Sequence, residues 1–408
     1  MKWDSLQLGE VMDIRHGHAF KSRGFAQSGD LILLTPGNCH ESGGLKLKGD
    51  KEKYYLGEFP PEFLLSEGDM LVVMTDLLNT APILGGSLLI PDNNKFLHNQ
   101  RLGLVQITDE KRIDKTFLYY LLNTYDYRAQ VRGSASGATV RHTSPTRIRG
   151  CRVRVPRDVG YQRQIGRVLA AYDDLIENNR RRMALLEDAA RQLYREWFVR
   201  LRFPGHEHTR ITNGVPEGWE KTTAFVAMEV LSGGTPKTTV PDYWDGEIPF
   251  YTPKDASDTA YVLQTGRAIT ELGLKNCNSR LYDTNTVFIS ARGTVGKLNL
   301  ASRPMAMSQS CYGLIGKGYV PQMFLFCALK EAIEHFKQHA GGAVFDAIIV
   351  DTFKLIPFMV PDEKKVRLFE EAASPVFRQV ANVMEQNEKL RAARDLLLPR
   401  LMSGEIPV

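Results

Sequence analysis

Arginine dominates the part of the sequence with the strongest single-sign charge. The stretch from Arg128 to Arg157 contains no Asp or Glu. Its arginines are Arg128, Arg132, Arg141, Arg147, Arg149, Arg152, Arg154 and Arg157. Cations without counter-ions are typical of a surface that binds a polyanion, and they also occur on solvated basic edge strands. Both interpretations stay open at this point.

Other candidate chemical groups have simpler interpretations. His335 and His339 have helical i, i+4 spacing, but no Glu follows His335 as a zinc-protease motif requires, so we interpret both as surface residues. The run 361–365, Pro-Asp-Glu-Lys-Lys, lies where a helix is predicted to start and where acids cap helix termini. The Gly/Ser loop 133–139 lacks the Lys-Ser/Thr ending of a nucleotide-binding loop, so it is structural or contacts a nucleic-acid backbone. We therefore predict no metal site, no cofactor and no catalytic residue.

Two long stretches, 161–198 and 363–402, have the heptad spacing of paired helices. The first seam is Ile165, Leu169, Tyr172, Ile176, Asn179, Met183, Leu186, Ala190, Leu193 and Trp197. The second is Phe369, Ala373, Val376, Val380, Val383, Asn387, Leu390, Arg394, Leu397 and Leu401. The second seam is the first one displaced by 204 positions, which indicates that the two helices are repeats.

Polar residues within the two seams indicate how the helices pair. An antiparallel pairing that sets Ile165 beside Leu401 places Asn179 opposite Asn387 and Tyr172 opposite Arg394. The amides can then hydrogen-bond, and the Arg394 guanidinium can lie on the Tyr172 ring, so these four residues would fix the register. The alternative is two separate amphipathic helices packed on globular domains.

Composition and length set the general class of the protein. A chain of 408 residues with 43% hydrophobic residues can form two or three domains with real cores. Five scattered cysteines argue against a disulfide framework or a zinc site. No signal-like segment and no run of 18 apolar residues occurs, so we expect a cytoplasmic protein without a membrane partner. The net charge of +5 says little about partners by itself.

The two halves of the sequence follow the same plan. Short apolar runs bounded by Gly, Pro, Asn or Asp predict strands, and a short helix follows near Phe117. Trp219 corresponds to Trp3 and Gly233 to Gly17, yet the sequence between such anchors diverges. The predicted domains are 1–158, a helix at 159–202, a linker at 203–218, a second domain at 219–361 and a helix at 362–408. A duplicated frame with divergent parts suggests two related sites that recognise different things.

A set of motifs resembles the specificity subunit of type I DNA restriction-modification systems over essentially the whole chain. The motifs are Val215-Pro216-Glu217-Gly218-Trp219, Ser232-Gly233-Gly234-Thr235-Pro236-Lys237, Tyr243-Trp244, Gly246-Glu247-Ile248-Pro249, Thr252-Pro253-Lys254-Asp255, Ile269-Thr270-Glu271, Gly273-Leu274, Ser290-Ala291-Arg292-Gly293-Thr294-Val295-Gly296 and Leu398-Pro399-Arg400-Leu401-Met402-Ser403-Gly404-Glu405. The first half departs from the pattern, with His16-Gly17-His18-Ala19 where the second half has Ser232-Gly233-Gly234-Thr235.

The resemblance implies a non-catalytic subunit that recognises double-stranded DNA. Its implied fold is α+β: two mixed α/β target recognition domains separated by a long antiparallel coiled coil of two conserved helices, with a pseudo-twofold internal repeat. Each domain would bind half of a bipartite target, and the helices would dock two methyltransferase subunits and, indirectly, restriction and translocase subunits. The chain itself has neither an Asn/Asp-Pro-Pro-aromatic motif nor a P-loop. A coiled-coil scaffold without a DNA role and a nuclease remain as alternatives.

Polar side chains beside predicted strand ends are the candidates for DNA contact. In the first half they are Lys21, Ser22, Arg101, Thr139, Arg141, His142, Arg147 and Arg149. In the second half they are Thr235, Lys237, Lys254, Arg292, Lys297 and Gln309. We expect Arg141, Arg147 and Arg149 to lie along DNA phosphates. The candidates for sequence recognition are Lys21, Ser22, Arg101, His142, Thr235, Lys237, Lys254, Arg292 and Gln309.

Overall fold

Two helices in the computed structural model are much longer than the other described helices. The structure describes residues 2–339 and 347–408, without the side chains of residues 50 and 336–339. Its α-helices are α1 (Lys115–Leu121), α2 (Tyr125–Ser134), α3 (Pro145–Arg149), α4 (Val159–Tyr194), α5 (Ala224–Ala227), α6 (Glu271–Lys275), α7 (Gln322–His339), α8 (Thr352–Leu355) and α9 (Glu363–Ser403). The long helices α4 and α9 begin within two residues of the predicted seam-bearing stretches 161–198 and 363–402. Helix α4 continues as a π-helical turn, Arg195–Val199.

The chain divides into two compact units, and each long helix contributes to both. Unit 1 comprises Met1–Leu175 and Leu390–Val408, and unit 2 comprises Ile176–Lys389. The strands of unit 1 are β1 (Trp3–Gln7), β2 (Met12–His16), β3 (Phe25–Ala26), β4 (Ile32–Leu33), β5 (Tyr54–Tyr55), β6 (Met70–Val73), β7 (Thr75–Asp76), β8 (Ser87–Leu89), β9 (Phe96–Leu97), β10 (Leu102–Ile107), β11 (Arg141–His142) and β12 (Arg152–Pro156).

Unit 1 is built around a four-stranded antiparallel sheet with the strand order β2-β10-β6-β8. A second four-stranded sheet has the order β3-β5-β4-β9, and β1 pairs with β12. Strand β6 is buried along its whole length, as its continuous apolar sequence predicts. Helices form where polar caps precede them: the side chains of Asp114 and Ser144 accept N–H groups from the first turns of α1 and α3.

Unit 2 repeats this plan with its own strands. They are β13 (Ile211–Thr212), β14 (Val215–Pro216), β15 (Glu220–Thr223), β16 (Met228–Ser232), β17 (Trp244–Tyr251), β18 (Tyr261–Val262), β19 (Ala268–Ile269), β20 (Val287–Ser290), β21 (Leu298–Ala301), β22 (Ala306–Met307), β23 (Cys311–Gly316) and β24 (Pro357–Val360). The main sheet has the order β16-β23-β20-β21-β18, and β15 pairs with β24 as β1 pairs with β12. Both units therefore mix helices and sheets, and the predicted internal repeat is confirmed.

The seams of the long helices enter the core of each unit. In unit 1, Ile165 and Leu169 of α4 are fully buried in one apolar cluster with Leu401 of α9. In unit 2, Phe369 and Val380 of α9 are buried with Tyr194 of α4 in another cluster. The helices therefore pair antiparallel within each unit, and the alternative of helices that pack separately on their own domains is wrong.

The predicted linker 203–218 has more structure than its composition suggested. Phe203 is buried against Trp219, with ring centroids 4.9 Å apart. Strands β13 and β14 form a hairpin with a two-residue turn at Asn213 and Gly214. The φ angles of these residues, 50° and 75°, suit the tight turn that Asn-Gly favours. Phe203 and Pro216 are thus buried near the two ends of the stretch, whereas most residues between them are exposed.

The five cysteines are free thiols, and four of them are buried. Burial raises the pKa of Cys39, Cys311 and Cys327 to about 12 and that of Cys151 to about 11. These thiols are therefore apolar core groups at neutral pH. Among residues 2–339 and 347–408, no helix is long and apolar enough to cross a membrane.

Candidate nucleic-acid interface

In unit 2, three loops meet at one end of the main sheet. Ser232 ends β16 and pairs with Tyr312, while Ser290 ends β20 and pairs with Cys311 at the start of β23. The loops that follow Ser232 and Ser290 therefore lie beside the loop that precedes Cys311. We call this end of the sheet the unit 2 edge. A Cβ atom on Gly233 would lie 2.2 Å from the Ser308 carbonyl oxygen, so only glycine allows the backbones to approach this closely.

Most of the unit 2 candidates come together at this edge. The Thr235 hydroxyl donates a hydrogen bond to the Gln309 side chain. The Ala291 N–H donates to the Ser310 carbonyl (2.8 Å), which places the exposed Arg292 beside Gln309. The edge thus combines hydroxyl, amide and guanidinium groups, the donors that read base edges.

The remaining unit 2 candidates differ in how far their charges are already paired. Thr294 donates to the Pro253 carbonyl (2.9 Å), which draws the loop carrying the exposed Lys254 towards this edge. Lys237 is exposed in the loop after β16. The Lys297 ammonium is 2.6 Å from the Asp258 carboxylate, so its charge already has a counter-ion. Lys254 and Lys237 are consequently better placed than Lys297 to meet a phosphate.

Unit 1 has the corresponding edge. Gly103 in β10 pairs with His16 at the end of β2 and with Val72 in β6. A Cβ atom on Gly17 would lie 2.2 Å from the Asn99 carbonyl oxygen, as at Gly233. We call this end the unit 1 edge. The match of Gly17 to Gly233, expected from sequence, therefore reflects the same close approach of two backbones.

Several unit 1 candidates lie at this edge. Arg101 is exposed just before β10, and its carbonyl accepts the Met74 N–H (2.9 Å). Strand β7 pairs with β11, and the Thr75 hydroxyl lies 3.1 Å from Nδ1 of His142. Thr139 is exposed in the turn before β11, and Lys21 and Ser22 are exposed after β2. Arg101 and His142, which belong to different parts of the chain, therefore lie at this edge.

The arginines of the basic segment turn out to be largely bound within the protein. The Arg141 guanidinium donates to the carbonyls of Gly137 (3.2 Å) and Arg132 (3.0 Å). Arg147 donates to the Ser136 hydroxyl (3.0 Å). Arg149 pairs with Asp13 (3.4 Å), and Arg128 is buried against the carbonyls of Glu41 and Pro82. Phosphate contact by Arg141, Arg147 and Arg149 stays a prediction, with fewer free guanidinium N–H groups than the sequence suggested.

A buried histidine beneath the unit 1 edge carries no charge. Burial lowers the pKa of His98 to about 4, and its Nε2 lies 2.9 Å from the Leu102 carbonyl. The neutral tautomer that donates from Nε2 therefore fits this contact. His98 supports the turn before β10 and adds no cation to the edge at neutral pH.

The register of the helix pair agrees with the predicted antiparallel arrangement in unit 2. The Asn179 amide donates to the Asn387 side-chain oxygen (2.9 Å), and the Asn387 amide donates to the Ile176 carbonyl (3.2 Å). Both asparagines are buried. The Asn179–Asn387 prediction is confirmed.

In unit 1, Arg394 binds carboxylates and not the Tyr172 ring that the seam predicts. Its guanidinium pairs with the carboxylates of Asp173 and Asp395. Tyr172, the expected partner, is half-buried next to Asp173 in α4. Asp173 also accepts the Tyr120 hydroxyl (2.7 Å). A carboxylate one position away from the seam offers a full opposite charge, which binds arginine more strongly than a ring face does.

The run 361–365 lies at the start of α9. Asp362 accepts the Lys365 N–H (3.1 Å) at the start of α9, which is the capping role expected from sequence. The side chain of His339 lies outside the described residues. Within the described part of the chain, no group of three or more His, Cys, Asp or Glu side chains could hold a metal ion.

Two exposed leucines at the unit 1 edge are not predicted by any sequence pattern. The connection that follows β6 carries Leu77 and Leu78, whose side chains are 60% and 57% exposed. Apolar residues directly after a strand suggest a longer strand, so no pattern marked them as part of a site.

The fold and these two edges define a protein of two repeated α/β units, each exposing donor-rich loops at one end of its main sheet. Residues 1–188 and 216–371 match the family model described as the type I restriction modification DNA specificity domain. The chain belongs to this family, which confirms the resemblance seen in its motifs.

Two curated relatives and one solved structure illustrate the similarity. The MjaIX specificity subunit of Methanocaldococcus jannaschii is 28% identical over 180 residues, and the HindI specificity subunit of Haemophilus influenzae is 25% identical over 195 residues. The matches cover 43% and 47% of this chain and 42% of each relative, less than half of the relatives' length. The crystal structure of a type I restriction-modification S subunit from M. genitalium shares the fold, with a TM-score of 0.58, 13% identity and coverage of 98% and 96%.

Proposed function

We propose that the chain is the DNA sequence-specificity subunit of a type I restriction-modification complex, with each unit binding one half of a bipartite, asymmetric target. The observation that carries this proposal is the repeated edge. The same three loops meet at the same end of both sheets, while the side chains that they expose differ. A shared frame with different donors suits two readers of different sequences, because each base pair has its own pattern of donors and acceptors in the major groove.

The role is one of recognition without catalysis in this chain. The names of the similar proteins, type I restriction enzyme specificity subunits, support this assignment. The partners are double-stranded DNA, two methyltransferase subunits that dock on the long helices and, through them, restriction and translocase subunits. Methylation and cleavage then belong to those partners.

Replacement of two residues at the unit 2 edge tests the proposal. The variant combines Arg292→Ala with Gln309→Ala and is expressed with its methyltransferase partners, and methylated positions in the cellular DNA are mapped. We expect the recognised bases to change in one half of each site, because each unit reads its half independently. Lys221→Ala is the matched control, since Lys221 is an exposed cation on β15, away from the edge.

Several outcomes would contradict this assignment. A change in both halves would exclude independent readers, and unchanged sites would exclude a reading role for Arg292 and Gln309. Binding of the complex to DNA that is neither sequence-selective nor salt-dependent would favour a coiled-coil scaffold, because phosphate contacts make affinity fall steeply with salt. Metal-dependent cleavage by this chain alone would favour a nuclease.

A further inference from the structure

We propose that Leu77 and Leu78 make apolar contact with base edges in the half-site that unit 1 binds. This inference rests on the proposed function and adds specificity-determining residues to it. Both side chains are more than half exposed on one connection, residues 74–84. Single exposed leucines are common on proteins, so the position and support of this pair must carry the argument.

The connection starts at the unit 1 edge. Its first residue, Met74, donates its N–H to the Arg101 carbonyl (2.9 Å), and the next two residues form β7, which pairs with Arg141 and His142. Leu77 and Leu78 follow directly along the chain. The two leucines are thus anchored among the same loops that present Arg101 and His142.

The connection is held in a defined shape by buried polar groups. The Asp76 carboxylate is 2% exposed and accepts the N–H groups of Leu78 (3.0 Å) and Ile83 (2.8 Å). Arg128 donates to the Pro82 carbonyl of the same connection. Ala81 is buried with a φ of 49°, a conformation that L-residues adopt only when their surroundings impose it.

This support turns both leucines outward although burial would stabilise them. Fully burying a leucine stabilises a fold by roughly 1.5–3 kcal/mol relative to exposure, so a rigid loop that exposes two leucines forgoes that stabilisation. Pre-organised side chains bind with less loss of conformational entropy than mobile ones. The arrangement therefore suits contact with a partner at this edge.

The corresponding connection in unit 2 indicates that the partner is DNA. Val73 exchanges hydrogen bonds with Gly85 and Gly86, as Ser290 does with Gly296 and Lys297. The unit 2 connection, residues 291–295, is shorter and exposes Arg292. The same point of the frame thus offers a guanidinium in one unit and two isobutyl groups in the other. A guanidinium suits guanine edges, whereas apolar groups suit the methyl group of thymine.

Binding by the assembled complex tests the inference. A duplex with a mapped target is compared with duplexes in which the unit 1 half-site, the unit 2 half-site or both are scrambled. We expect the combined variant Leu77→Ser and Leu78→Ser to bind the intact target about tenfold more weakly, in the range of one lost base contact. Its affinity for the duplex with a scrambled unit 1 half-site should equal that of the wild type.

The matched control is Leu355→Ser, because Leu355 is a 69% exposed leucine on α8 of unit 2. Thermal unfolding should be unchanged for both variants, since the carboxylate of Asp76 binds backbone N–H groups that serine retains. If the double variant discriminates between the intact target and the scrambled unit 1 half-site as well as the wild type does, this inference is wrong and the proposed function still stands. An equal loss of affinity for all duplexes, which indicates contact with the DNA backbone, would also overturn this inference. A wild-type complex that fails to discriminate the target from scrambled DNA would instead overturn the proposed function, and this inference with it.

Discussion

The two units solve the same capping problem with carboxylates from different parts of the chain. In unit 1 the N–H of Phe117, in the first turn of α1, donates to Asp114 immediately before that helix (3.0 Å). In unit 2 the corresponding N–H of Phe324 in α7 donates to Glu370 of the long helix α9 (3.1 Å). The first turn of a helix needs acceptors for its free N–H groups, and both units supply one.

The sequences explain why the acceptor moved. Pro321 stands before α7 where Asp114 stands before α1, and proline has no side-chain acceptor. At the position of Glu370, the other long helix has Gly166, whose Cβ atom would lie 3.2 Å from the Phe117 nitrogen. A side chain as large as Glu would therefore crowd α1. Both units therefore satisfy the N–H groups of this helix, but Asp114 does so in unit 1 and Glu370 in unit 2.

The largest expected effect tests what the two edges share. Gly17→Ala and Gly233→Ala should each lower the free energy of unfolding by about 2–3 kcal/mol, because each new Cβ atom meets a backbone oxygen at 2.2 Å. Denaturant unfolding, monitored by hydrogen exchange in each unit, measures the free energy of unfolding of both variants. Gly133→Ala is the control, since a Cβ atom there has no neighbour within 4 Å. Tolerance of alanine at either edge would break the equivalence of the two edges.

The next largest effect concerns the Asn179–Asn387 contact, which lies in unit 2. Asn387→Leu should destabilise unit 2 by about 2 kcal/mol, because the buried Asn179 amide loses its acceptor. The combined variant Asn179→Leu and Asn387→Leu should recover most of this loss, since neither polar group then remains. A double variant less stable than the single one would mean that the amides do not form an isolated pair.

The smallest effects test the exchanged caps. Asp114→Ala and Glu370→Ala should each cost about 1 kcal/mol, a typical value for a lost cap, and Glu370→Gln should cost less because it retains an acceptor. Thermal unfolding of the three variants gives these differences. Equal losses for Glu370→Ala and Glu370→Gln would show that the charge, and not the acceptor, matters.

The pH dependence sharpens the same comparison. Burial raises the pKa of Glu370, although its hydrogen bonds from Phe324, Ser374 and Met323 oppose that rise. The folded protein therefore holds this proton more tightly than the unfolded chain does. As pH rises from the ordinary carboxyl range through the raised pKa, the wild type should lose stability relative to Glu370→Gln. An unchanged difference between the two proteins across that range would contradict the burial of this carboxyl.

The helices and their register were predictable because a repeated apolar seam makes each polar exception conspicuous. Asn179 and Asn387 stand in buried seam positions, where an amide needs a partner, and antiparallel pairing supplies one. The seam positions alone pair Arg394 with Tyr172, whereas the guanidinium forms an ion pair with the neighbouring Asp173. A heptad pattern gives the positions of Cα atoms along the seam, and it does not show how far a long side chain such as arginine reaches.

The candidate site was predictable where loops meet at strand ends and not where side chains fold back. Arg292 and Gln309 follow or precede recognisable strands, so their shared edge could be expected. Arg128 and Arg141 find their acceptors in backbone carbonyls, some of them distant in sequence, such as that of Glu41. A count of charges cannot reveal such acceptors, so it overstated the number of free guanidinium donors in the basic segment.

The reactivity of the buried thiols can be used to measure local unfolding of each unit. Alkylating reagents react with thiolates, and a thiol with a pKa near 12 is almost entirely protonated and shielded at neutral pH. Cys39 and Cys151 report on unit 1, and Cys311 and Cys327 report on unit 2. The labelling rate at each position, read by mass spectrometry, therefore gives the opening frequency of each unit without any introduced probe.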